Sequence, residues 1–176
     1  VLVIAADIAK YGLATGGEPT QGCGAVAMLI TKEPDLLAFN NDSVFYSEDV
    51  YDFWRPAGHD YPLVDGHMSN QIYIDSFTRI WEQNKKVNQT DSTDYAAITF
   101  HLPYTKMGRK ALRAIFPEMP ESEQQRLEAR YDEAVVYSRT VGNLYTGSLY
   151  LGLISLLDNG NLGAGDRIGL FSYGSG

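Results

Sequence analysis

The chain has 176 residues, 44% of them hydrophobic and 20% charged, and a formal net charge of −8. That composition is globular and excludes a disordered chain, while the acidic balance argues against general nucleic-acid binding, which needs a basic surface. A single cysteine, Cys23, excludes an intrachain disulfide framework and fits a reducing compartment, and the three histidines (His59, His67, His101) show no metal-ligand spacing, so no metal site is expected.

In chain order, Val1–Ala6 is a continuous apolar run, which predicts a strand covered on both faces, and Gly24–Ile30 predicts a second. Between them, Tyr11-Gly12 and Gly16–Gly22 form a loop rich in residues that tolerate unusual backbone angles, and such a loop between core strands is well placed to meet a ligand. Glu48–Trp54 predicts a short helix ended by Pro56. This aromatic and acidic segment would suit a pocket wall or an oligomer interface. Ser69–Val87 predicts a longer helix with Tyr73, Phe77, Ile80 and Trp81 on one face. Tyr95–His101 reads as a strand and Tyr104–Phe116 as a helix. Ser122 to about Tyr137 reads as another helix, opened by a capping box of Ser122 and Gln125. Gly147–Leu157 is apolar nearly all round, hence a buried helix, stopped by Asn159-Gly160. Arg167–Ser172 is a last buried strand. Alternating strands and helices predict an α/β fold with at least one covered sheet. No apolar run approaches the ~20 residues of a membrane span, and no basic-then-apolar leader pattern is visible. The chain opens inside a strand and closes on the glycine-rich Tyr173–Gly176, so both ends read as cut.

Three features could carry chemistry. His101 stands at the carboxyl end of a strand, where ligands of α/β sheets bind. On the helix behind it, after Pro103, residues Lys106, Arg109, Lys110 and Arg113 fall on one face. In an acidic chain that stripe fits an anionic ligand such as the phosphates of a nucleotide-like cofactor. A solvated face with a buried histidine behind it has the same spacing. Next, Asn143 and Tyr145 in Val141–Ser148 lead into the buried helix, and either cap it or point into a site. Finally, Cys23 begins an apolar strand with no cationic neighbour in sequence, and reads as a small buried cysteine rather than a nucleophile.

Seven stretches, in order, resemble the hydroxymethylglutaryl-CoA synthases, the bacterial form of the mevalonate pathway most closely. They are Ala6–Gly12, Gly17–Gly22, Tyr51–Pro56, Tyr61–Gly66, Phe100–Lys106, Gly142–Ser148 and Phe171–Gly176. The resemblance implies a thiolase-like fold, part of a five-layer αβαβα architecture. Residues 1–35 would end the N-terminal half, and 36–176 would form the connecting region and most of the C-terminal half. It also implies a cytoplasmic homodimer that binds CoA thioesters, with neither nucleic acid nor membrane as partner and no cofactor. The reaction implied condenses acetyl-CoA with acetoacetyl-CoA through an acetylated cysteine, while a glutamate handles the proton of the acetyl methyl. In the family both groups lie upstream of the segment matched here, so the chain alone is expected to be inactive.

Carried over by position, His101 matches the catalytic histidine that orients acetoacetyl-CoA, and Asn143 matches a substrate-binding asparagine. Lys106 and Lys110, with Arg109 on the same face, match the CoA-phosphate contacts. Tyr11, Thr20 and Ser175 match residues lining the substrate pocket, and Asp7 and Asp52 match polar residues near it. Two rival readings are a ketoacyl synthase or thiolase, whose histidine motifs are absent, and a noncatalytic CoA-binding homologue that kept the fold.

Overall fold

The computed structural model describes residues 1–175; Gly176, the end of the last family-like stretch, lies outside the described residues. The core is organised by α1 (Gly66–Asn88), whose Tyr73, Phe77 and Trp81 recur at helical spacing and are all buried. Asp65 caps this helix, its carboxylate accepting from the backbone N–H groups of His67 and Met68. The aromatic face of α1 lies against β5 (Ala97–Phe100) and β6 (Ile168–Phe171). Phe77 meets Phe100 at 4.9 Å and Phe171 at 5.1 Å between ring centroids.

β5 and β6 pair in parallel, Phe100 beside Phe171, and every residue of β5 is buried. Parallel pairing needs a crossover. Here it runs through α2 (Thr105–Ala114), α3 (Glu121–Ala134), the short α4 (Ser138–Val141) and α5 (Thr146–Asn159). The last of these carries no exposed apolar residue, as expected of a buried helix. It packs against α3 and β5 and against the N-terminal ribbon of β1 (Leu2–Ala9) and β2 (Gly22–Leu29).

The ribbon departs from the sequence expectation. β1 and β2 pair antiparallel from Leu2 opposite Leu29 to Ala9 opposite Gly22, yet Leu2, Ile4 and Ile8 are each 62% exposed. Only Ala9 and Val26 of these strands are buried. Helices α4 and α5 cover part of the ribbon, and the remaining apolar surface has no cover among the described residues. Cys23 is likewise exposed rather than buried. It lies three residues from the buried Val26, so strand alternation turns it to the other face.

Three further expectations fail. The last strand, β6, is not buried along its length: only Phe171 is, and Leu170 is exposed. Glu48–Trp54 is not helical: the segment is extended and ends in β3 (Phe53–Trp54), paired with β4 (Leu63–Val64). Val50, Tyr51, Phe53 and Trp54 favour an extended backbone, and the stretch is too short to nucleate a helix before Pro56. The Ser122–Gln125 capping box does not form either. α3 starts two residues earlier, with Pro120 at the N-cap position and no side-chain cap. Gln124 instead donates to the carbonyls of Phe116 at 3.0 Å and Met119 at 2.9 Å.

Candidate active site

β5 ends at Phe100 and delivers His101 to the carboxyl edge of the parallel pair. The His101 backbone stays tied to both neighbours: its N–H donates to Phe171 O at 2.8 Å, and its carbonyl accepts from the Tyr73 hydroxyl at 2.6 Å. The imidazole meets the start of α5. Ser148 Oγ lies 3.3 Å from His101 Nδ1, donates to Tyr145 O at 2.7 Å, and accepts from Leu102 N–H at 2.9 Å. Burial pushes the His101 pKa down to about 4, against a hydrogen bond to the Tyr145 carbonyl that favours the charged ring. At neutral pH the imidazole is therefore uncharged.

That depression couples stability to pH. An unfolded histidine titrates near 6.5, the folded one near 4. Between these values the unfolded chain binds the additional proton, so this contribution is complete above 6.5 and is lost as pH falls towards 4. Thermal melts should show a steeper loss between pH 7 and 4.5 in the wild type than in His101→Gln. Parallel curves for the two would contradict the assignment.

The loop before α5 supplies the second part of the site. Asn143 is 4% exposed, and its side chain ties the loop to the N-terminal ribbon. Oδ1 accepts from Tyr145 N–H and Nδ2 donates to the Tyr11 hydroxyl, each at 2.8 Å. Of the two roles left open by the sequence, capping is not realised: α5 starts after Tyr145 without a side-chain cap. Tyr145 holds φ 45°, ψ −124°, a strained conformation for a residue with a side chain. Tyr11, Phe53 and Tyr145 pack as an aromatic triangle with centroids 6.0 to 6.5 Å apart. Burial, a hydrogen bond with Tyr11 and the nearby Asp7 carboxylate all raise the Tyr145 pKa, so its phenol stays protonated. Thr20 contributes through its backbone, its carbonyl accepting from Asn143 N–H at 3.2 Å. Its hydroxyl turns back to Gly17 O.

A third group adjoins from β6. Asp52 is 1% exposed, and its Oδ2 accepts from Tyr173 at 3.1 Å and from Ser175 at 3.2 Å. Its Oδ1 has no partner among the described residues. Burial foremost pushes the Tyr173 pKa up to about 12, and the Tyr173 ring lies 6.4 Å from the His101 ring. The fold thus assembles His101, Asn143, Tyr11, Thr20, Asp7, Asp52 and Ser175 around one corner. Tyr73, Ser148 and Tyr173 join them and were not among the candidates. The signal for Ser148 was available: a hydroxyl in a helix otherwise almost wholly apolar needs a partner.

The cationic stripe divides. Arg109 is engaged by α3 rather than held free for a phosphate, pairing with Asp132 at 2.5 Å and Glu128 at 3.2 Å. Arg113 shares Glu128 at 2.8 Å. The acidic face of α3, which the helix spacing of α2 alone does not reveal, neutralises this half. Lys106 and Lys110 are exposed and form no ion pair among the described residues, Lys110 standing 6.0 Å from the Tyr104 ring. No group of three or more His, Cys, Asp or Glu among the described residues could hold a metal ion, and no helix there is long and apolar enough to cross a membrane.

Comparison with known proteins gives this corner a context. Residues 38–126 and 113–176 match the family described as hydroxymethylglutaryl-coenzyme A synthase C terminal. The hydroxymethylglutaryl-CoA synthase of Enterococcus faecalis is 63% identical over 177 residues, covering 100% of this chain and 46% of that protein. A Bacillus subtilis polyketide-biosynthesis 3-hydroxy-3-methylglutaryl-ACP synthase is 31% identical, covering 99% of this chain and 46% of that protein. A solved hydroxymethylglutaryl-CoA synthase complexed with CoA superposes with a TM-score of 0.95 at 44% identity, covering 99% of this chain and 46% of that one. The chain therefore spans about half the length of the curated relatives it matches. Its mixed α/β structure is that of the thiolase-like fold of these synthases. The chain belongs to the hydroxymethylglutaryl-coenzyme A synthase C-terminal family.

Proposed function

We propose that this chain provides the second-substrate pocket and CoA contacts of a hydroxymethylglutaryl-CoA synthase. The whole protein condenses acetyl-CoA with acetoacetyl-CoA and water to give hydroxymethylglutaryl-CoA and free CoA. The observation that carries the proposal is His101: an uncharged imidazole held at the start of α5 by Ser148 and linked through Tyr145 to the Asn143–Tyr11 pair, in a chain of this family. His101 and Asn143 hold the acetoacetyl group, and Tyr11, Thr20 and Ser175 line its pocket. Asp7 and Asp52 set the polarity around it. The nucleophilic cysteine and the proton-handling glutamate come from a part of the protein outside this chain, so residues 1–176 alone do not turn over. Residues 1–35 close the N-terminal half, and the rest of the protein, as a cytoplasmic homodimer, covers the exposed face of the ribbon. The CoA thioesters are substrates, and no cofactor takes part.

With Arg109 committed to α3, Lys106 and Lys110 carry the phosphate contacts. Exposed charge pairs contribute up to about 1 kcal/mol each, so Lys106→Ala/Lys110→Ala in the full-length protein should raise the KM for acetoacetyl-CoA about tenfold with kcat little changed. Added salt should narrow the difference. An unchanged KM would remove the stripe from the CoA site. The reaction itself is tested by its products. Full-length protein should release CoA and hydroxymethylglutaryl-CoA in equal amounts, and a noncatalytic homologue would bind the thioesters and release neither.

A further inference from the structure

The turn that opens α5 has the shape of a glycine turn and holds a tyrosine. Gly147 N–H donates to Leu144 O at 2.9 Å, which closes a four-residue turn, and Tyr145 takes its first central position at φ 45°, ψ −124°. Those angles belong to a type II′ turn, where glycine dominates this position because a side chain there is strained. The main chain of Tyr145 gives no reason for the exception. Its N–H is taken by Asn143 Oδ1 at 2.8 Å, and its carbonyl accepts from Ser148 N–H at 3.0 Å and from Ser148 Oγ at 2.7 Å. A glycine would make all three bonds without the strain. The core gives no reason either: Tyr145 is only partly buried and belongs to neither of the buried hydrophobic clusters of the described residues. Its ring stands instead at the corner of the site, 6.5 Å from the Tyr11 ring and 6.4 Å from the Phe53 ring, and both of those are partly buried as well. Asn143, two residues earlier, donates to the hydroxyl of the same Tyr11. Strain of this kind persists where the surrounding structure enforces it, and it clusters at active sites.

We propose that Tyr145 is a substrate-contacting residue: the strained turn sets its ring, together with Tyr11 and Phe53, as an aromatic wall against the acyl group of the bound thioester. The apolar faces of such rings suit the methyl and methylene carbons of an acetoacetyl group. The side chain thus serves binding at the expense of stability, and the two effects separate by substitution. Glycine removes the ring and the strain together, whereas alanine removes the ring and leaves the strain in place.

The inference rests on the reading that this corner takes the acetoacetyl group, but its test needs no turnover. Dissociation constants of acetoacetyl-CoA and of CoA are measured by calorimetry on the full-length protein, and melting temperatures are measured without ligand. Tyr145→Gly should weaken acetoacetyl-CoA about tenfold and CoA, which has no acyl group, less than about twofold. It should also melt about 2 °C or more above Tyr145→Ala, because relief of the strain outweighs the added freedom of glycine in the unfolded chain. Unchanged acetoacetyl-CoA binding in Tyr145→Gly overturns the proposal, as does a Tyr145→Gly protein no more stable than Tyr145→Ala. Equal weakening of both ligands overturns it too, since Tyr145 would then only pack the loop. If the wild type binds acetoacetyl-CoA through Tyr145 but forms no hydroxymethylglutaryl-CoA, this assignment stands and the synthase reading alone is removed.

Discussion

His101→Ala in the full-length protein should lower the condensation rate about 10³-fold, within the range for losing a positioned proton-transfer or orienting group. The fold should survive the change. The backbone bond of residue 101 to Phe171 O and its carbonyl bond from Tyr73 use no imidazole atom. The groups around Nδ1 keep other partners, because Ser148 still bridges Tyr145 O and Leu102 N–H. No buried polar atom is therefore orphaned, and the loss is one of chemistry rather than folding. A circular dichroism spectrum like that of the wild type, with acetoacetyl-CoA consumption near background, is the expected pair of results. A variant within tenfold of the wild-type rate would show that His101 is not at the reacting atoms.

Gly142→Ala should be the most damaging single methyl added to this chain. Gly142 holds φ 80°, ψ −157°, open only to glycine. A Cβ there would lie 2.1 Å from Gln21 O, a backbone atom that cannot swing aside. The neighbouring contact is also too close for a side chain: a Cβ on Gly22 would lie 2.5 Å from Val141 O. At this crossing the start of β2 meets the loop before α5, which sets Asn143 against Tyr11. Forcing the two chains apart should cost about 3 kcal/mol or more, equivalent to a melting temperature lower by about 6–12 °C for a protein of this size. Activity should fall with it, because Asn143 moves with the loop. Gly58→Ala is the control: it has φ 81° but nothing within 4 Å of the new methyl. It should cost only the left-handed backbone penalty of about 1 kcal/mol. Equal losses for the two would contradict the crossing as the origin of the effect.

How much of this was legible in the sequence follows from where each signal is stored. Helices α1, α2 and α5 and strand β5 are local patterns: Tyr73, Phe77 and Trp81 at helical spacing, Ala97–Phe100 as an unbroken buried run. The placement of His101 at a strand end was legible for the same reason. Partners distant in sequence were not. Arg109 looked available because its counter-ions Glu128 and Asp132 sit on another helix. The apolar run of β1 records that the strand is to be covered, but not by what, so Ile4 and Ile8 stand exposed within this chain. Segment 48–54 is extended because its end, Phe53–Trp54, pairs with Leu63–Val64, a partner that the segment's own residues do not reveal. Ser148 and Tyr173 acquire their roles only when β5, β6 and α5 converge.

The most direct measurement is the loss of acetoacetyl-CoA by the full-length wild-type protein, with and without acetyl-CoA. Rapid loss is expected only when acetyl-CoA is present. No loss in either case, or equal loss in both, would contradict it.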